Sequence, residues 1–151
     1  MKLSIGTAQF GFKYGICNRD GIINNKEAKK IIQFCKLKKV YSIDTAQGYG
    51  KSHKVLGSLK IENFQITTKI SNIKKKKIKD LESYITLEID KILEELNVNK
   101  IYALLIHDTS ELKGKFGKSL FKVLQQIKKK KKIFKLGVSV YTKKELELVI
   151  K

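Results

Sequence analysis

The sequence predicts an α/β fold of parallel strands joined by crossover helices, and three observations carry that expectation. Short apolar runs alternate along the chain with longer segments whose apolar residues recur at helical spacing, the rhythm of repeated βα units. One run, Ile101 to Ile106, is nearly unbroken, as a strand buried on both faces requires. Several polar residues with chemical potential fall where apolar runs end, which in a parallel barrel is the face on which active sites are built.

The first strand is expected over Leu3 to Ala8, within a glycine-rich stretch that carries Gly6, Gly11, Gly15 and Gly21. Asn24 and Glu27 then resemble a capping box, and Ala28, Ile31, Ile32 and Cys35 follow on one helical face. A second strand is expected over Val40 to Asp44 and a short helix over Ser52 to Lys60, with Val55, Leu56 and Leu59 inward. Phe64 to Lys69 reads as the third strand because it is rich in β-branched residues. Ile78, Leu81, Ile85, Ile89, Ile92 and Leu96 lay down the longest apolar stripe. After the fourth strand, Leu120, Phe121, Leu124 and Ile127 mark another helix. Lys135 to Tyr141 reads as the fifth strand, and Thr142 with Glu145 caps a helix carrying Leu146, Val149 and Ile150.

That helix shows about two turns and no stop signal. The expectation is therefore a (βα)8 TIM barrel, a fold of about 250 residues, incomplete at the carboxy terminus. Residues 1–151 are read as one domain, cut within its fifth βα unit.

A chain of 151 residues, 42% of them hydrophobic, can bury a real core. The net charge of +19 would ordinarily suggest a polyanionic partner. Here every basic residue except Arg19 is a lysine, so the bidentate donor that reads phosphates and bases is nearly absent. Two lysine runs, Lys74 to Lys77 and Lys128 to Lys132, have no aromatics interleaved for stacking. A solvated surface is expected, with no nucleic-acid partner. Cys17 and Cys35 form no disulfide framework, zinc spacing or CxxC pair. The start lacks the apolar run of a signal peptide, and no stretch of about 18 apolar residues could cross a membrane. A cytoplasmic location and no membrane partner are expected.

Asp44 closes the second strand, Tyr49 lies five residues on, Lys69 closes the third strand, and His107 with Asp108 closes the fourth. Singly, each has a structural explanation: a cap, a half-buried ring, a solvated amine, a core imidazole. Jointly, an acid, a phenol, an amine and an imidazole at successive strand ends suit proton transfer to a carbonyl oxygen. A phenol ordinarily ionises near pH 10, and an ammonium beside it favours the phenolate. Asp44 would hold Lys69 in place, and His107 could orient the substrate oxygen.

The segments IGTAQFG, SIDTAQGYGKS, ITTK, LLIHD and KLGVSVY, in this order, resemble the successive strand-end motifs of the aldo-keto reductases over nearly the whole chain. The resemblance implies a TIM barrel that reduces an aldehyde or ketone, such as a sugar-derived carbonyl, with NADPH or NADH and no metal. It also implies Tyr49 as general acid, Lys69 and Asp44 as its tuning pair and His107 as the group that orients the carbonyl. Gly6, Thr7, Asp44 and Ser139 would contact the cofactor. The chain departs from the family pattern at Val140, where many members carry asparagine, and at His53, where glutamate commonly follows the serine. The family's remaining cofactor contacts belong to units beyond Lys151.

Rival motifs fit less well. YGKS resembles the end of a phosphate loop, but Thr45 stands where its first glycine is required. His53 and His107 lack Cys or carboxylate partners at metal-ligand spacing, and GFKYG does not match the dinucleotide fingerprint GxGxxG. A second class of function remains, a catalytically silent remnant whose lysines bind polyanions. Strand edges left open by an incomplete barrel would favour self-association.

Overall fold

The computed structural model describes residues 3–74 and 78–150, so Lys75, Lys76 and Lys77 of the first lysine run lie outside the described residues. Five strands stand side by side in chain order: β1 Ile5–Gly6, β2 Ser42–Asp44, β3 Gln65–Ile70, β4 Ile101–Ile106 and β5 Ile133–Val138. Every neighbouring pair is parallel. An open doubly wound sheet reverses its strand order at a switch point. This one never reverses, and right-handed crossovers in one direction stack the helices on one face, which is the arrangement of a barrel wall.

The helices are α1 Asn25–Leu37, α2 Ser52–Gly57, α3 Leu81–Leu96, α4 Gly114–Lys129 and α5 Lys143–Ile150. Local chemistry sets their starts. The Asn24 side chain accepts from the Glu27 amide at 2.9 Å, and Asp80 accepts from the amides of Glu82 and Ser83. Thr142 and Glu145 cap α5 reciprocally, at 3.2 and 3.0 Å. Asn97 ends α3 in the left-handed conformation, φ 52°.

One core joins the layers. Ile43, Ile66, Ile70, Leu104 and Ile106 of the strands pack with Ala28, Ile32, Leu56, Ile85, Ile89, Ile92, Leu96, Leu120, Leu124 and Ile127 of the helices. Each fully buried side chain of this size contributes about 1.5–3 kcal/mol relative to exposure. Gly57 permits the tightest helix contact, since a Cβ there would come within 2.1 Å of the Glu95 carbonyl on α3.

Four expectations need correction. β1 is only two residues long, because the chain turns into a short 3-10 helix, Ala8–Phe10. β5 begins at Ile133, two residues earlier than Lys135, and ends at Val138 rather than Tyr141. It is set by Ile101 pairing with Ile133 and Ile106 with Val138. Ile78 precedes α3, which starts only after the Asp80 cap. Phe121 is 52% exposed, since it lies about 100° around α4 from Leu120 and off the stripe of Leu120, Leu124 and Ile127.

Candidate active site

Parallel register brings the polar residues to one end of the sheet. Gly6 pairs with Asp44, Asp44 with Thr67 and Lys69 with Leu105. Lys69, two residues beyond Thr67, shares its face of the pleat. The ladder continues past the strands: the Thr45 amide donates to the Thr67 carbonyl, Gln47 to Lys69, His107 to Ile70 and Ser139 to Ile106. Those bonds fix where each strand-end side chain begins.

The Lys69 ammonium, 6% exposed, donates to both carboxylate oxygens of Asp44 at 2.7 Å and to the Thr45 carbonyl at 3.0 Å. It also reaches the Tyr49 hydroxyl at a long 3.4 Å and lies 5.1 Å from the centroid of that ring. Burying an ammonium is costly unless an anion and further acceptors meet it, and here both do. Tyr49 sits between Phe12 and His107, each with ring centroids 6.0 Å from its own. The four expected residues therefore converge. Burial first, then the Lys69 ammonium, lowers the His107 pKa below the ordinary histidine value, against the smaller opposing pull of Asp44 and Asp108. Both influences favour the neutral imidazole. Beside it opens a cavity of about 260 Å³ lined by Ser71, Asn72, Lys74, Asp108 and Glu111.

The expected cofactor residues divide. At Gly6 an added Cβ would meet nothing within 4 Å, so the β1 end presents open surface. Asp44 keeps its side chain 39% exposed, and Ser139, just past β5, is half-buried with no hydrogen bond from its hydroxyl among the described residues. Thr7 differs from the other three. It is fully buried, its hydroxyl and amide both donate to the Asp44 carbonyl, and its own carbonyl accepts from Phe10 and Ser52. Thr7 thereby joins the end of β1 to Asp44 of β2 and Ser52 of α2.

Sequence reasoning missed the node behind this arrangement. Ser52, fully buried at the start of α2, bonds to the Thr7 hydroxyl at 2.9 Å and the Thr45 hydroxyl at 3.1 Å. It thereby ties the ends of β1 and β2 to α2, and Thr45 in turn holds Lys69. His53 is also buried, its Nε2 2.9 Å from the Thr68 hydroxyl and its Nδ1 3.4 Å from Glu95. Small hydroxyls carry no periodic signal. The sequence placed Ser52 at a helix start and in the SIDTAQGYGKS motif, but gave it no bonding role, and its burial among threonines does not suit the phosphate-loop reading of GKS.

The family model of the aldo/keto reductase family matches residues 2–151. The chain belongs to the aldo/keto reductase family. Comparison with curated proteins found no match. Among solved structures, an aldo-keto reductase from Pseudomonas aeruginosa is 22% identical with a TM-score of 0.77, covering 98% of this chain and 59% of that one. Another from Brucella melitensis is 18% identical with a TM-score of 0.63, covering 97% and 52%. An aldose reductase from Giardia lamblia is 15% identical with a TM-score of 0.63, covering 93% and 52%. At these identities the likeness establishes the fold, a part of the aldo-keto reductase barrel. This chain spans between half and three fifths of the length of those relatives. Among the described residues no helix is long and apolar enough to cross a membrane, and no group of three or more His, Cys, Asp or Glu could hold a metal.

Proposed function

We propose that this chain carries the proton-donating side of an NAD(P)H-dependent carbonyl reductase acting on a small aldehyde or ketone, with Tyr49 as the acid. The observation that carries the reading is the Lys69 ammonium, held by both oxygens of Asp44 at 2.7 Å and lying 3.4 Å from the Tyr49 hydroxyl. Tyr49 gives its proton to the carbonyl oxygen, and the adjacent ammonium balances the phenolate that remains. Neutral His107 donates a hydrogen bond that directs the carbonyl toward Tyr49. A dinucleotide, when bound, supplies the hydride. The open surface at Gly6, the part-exposed carboxylate of Asp44 and the unengaged hydroxyl of Ser139 suit its nicotinamide end. The reducing cytosol suits free Cys17 and Cys35.

The test is fluorescence titration with NADPH followed by carbonyl-dependent NADPH oxidation. Saturable binding is expected, with Tyr49→Phe binding as well as the parent and turning over about 10²–10⁴-fold more slowly. No binding up to millimolar NADPH, or unchanged turnover in the variant, overturns the proposal.

A further inference from the structure

At the opposite end of the sheet from Tyr49, a groove of about 750 Å³ runs across the starts of β4 and β5, within the size range of small-molecule sites. Lys100, Lys128, Lys131 and Lys135 line it, and the only carboxylate in its lining is Glu62. None of these four lysines has an ion-pair partner among the described residues. Their neighbours Lys130 and Lys132, by contrast, are paired with Glu82 and Asp90. Within the run, Lys130 and Lys132 thus pair with α3 while Lys128 and Lys131 line the groove.

The same groove holds three aromatics, the buried Phe64 and the pair Tyr102 and Phe134. Tyr102 and Phe134 lie 5.8 Å apart with rings inclined by 32°, and the Lys135 ammonium covers Tyr102 at 5.3 Å. Phe134 is 66% exposed, on the face of β5 opposite to buried Ile133. An exposed ring among unpaired ammonium groups offers a face for a base and counter-charges for phosphate. Tyr102 is 26 residues upstream of Lys128, so the pairing of β4 with β5 brings the platform together.

We propose that this groove binds single-stranded nucleic acid, one base stacking on Phe134 while flanking phosphates meet Lys100, Lys128 and Lys131. The shared chemistry, a base carrying phosphate, also belongs to free nucleotides. The chain's net charge of +19 favours the polymer, since each phosphate engaged releases counterions.

Fluorescence anisotropy of an end-labelled oligouridylate of about 12 nucleotides tests this, titrated between about 50 and 200 mM salt. Affinity falling steeply with salt is expected. K128E/K131E should weaken binding at least about tenfold and take roughly 1–1.5 from the salt slope. Phe134→Ala should weaken it about tenfold with the slope unchanged, and Phe134→Trp should restore it. K115E/K118E makes the same charge change at the far end of α4 and should leave affinity near that of the parent. All are surface changes, and a thermal melt confirms folding. Equal loss in K115E/K118E, or no loss in Phe134→Ala, reduces the binding to diffuse attraction and overturns the proposal. Uridine monophosphate competing as well as the oligomer overturns it in favour of a free nucleotide. None of these outcomes depends on carbonyl reduction.

Discussion

Asp44 does two jobs at once: its carbonyl receives Thr7 and its carboxylate receives Lys69, both at bonding distance. Asp44→Asn would keep the shape and remove the charge that a nearly buried ammonium relies on. Since the Asp44 side chain is 39% exposed, water screens part of the loss, and the expected cost is about 1–3 kcal/mol rather than that of a fully buried pair. Denaturant melts read it, and a cost near zero would mean that Thr45 and solvent suffice. The two histidines make a pH prediction. Burial lowers the pKa of His53, opposed by Glu95, and burial with the Lys69 ammonium lowers that of His107. A histidine whose pKa drops on folding is bound neutral, so below about pH 6.5 the unfolded chain takes up more protons than the native one. Stability is therefore fully present above that pH and declines as pH falls toward the native values. Denaturant midpoints at about pH 7.5 and 5.5 should show the decline, and His53→Gln with His107→Gln should flatten it. A parent chain with equal midpoints refutes this assignment.

At the scale of elements, the turn after β1 and the loop carrying Tyr49 cross at two glycines. A Cβ at Gly11 would stand 1.6 Å from the Tyr49 carbonyl oxygen, and one at Gly50, where φ is 57°, would stand 2.5 Å from the Gly11 carbonyl oxygen. Gly11→Ala must push the Tyr49 loop away from Lys69. The expected result is a loss of about 1–3 kcal/mol in a thermal melt together with a larger fall in turnover than in cofactor affinity. Gly6→Ala, which meets no neighbour, should melt like the parent and instead weaken NADPH binding if the β1 end receives the nicotinamide. Legibility in the sequence follows the same division between local and distant causes. Caps such as Asn24 and Thr142, and the stripe of Ile85, Ile89 and Ile92, were readable because their partners lie within a turn or two of chain. The strand-end tetrad was readable because each member closes an apolar run. The start of β5 was not, because Ile101 chooses Ile133 across 32 residues. Nor was the burial of Thr7, which depends on β1, β2 and α2 meeting at Ser52.

These 151 residues expose 10493 Å². A compact monomer of 17.3 kDa exposes about 7800 Å², so this chain shows roughly a third more surface than its mass requires. Two features contribute to the excess. Among the described residues the strand order leaves β1 and β5 each with one unpaired edge, and β5 is six residues long. α5 buries no residue, and leaves Leu146, Leu148 and Ile150 between 45% and 76% exposed. An open six-residue edge flanked by an apolar helix face is a template for another strand and helix, and lysines at 132 and 135 blunt it only in part. Self-association through this edge is the expected outcome, stronger at high salt, where screening weakens the repulsion between copies of net charge +19 while apolar burial persists. Sedimentation velocity across a range of protein concentrations decides it. A shift to larger species as concentration and salt rise supports pairing at the edge. A single monomeric boundary throughout, with a cooperative melt, would mean that the half-covered sheet is stable alone and that the lysines protect its edge better than their number at β5 implies.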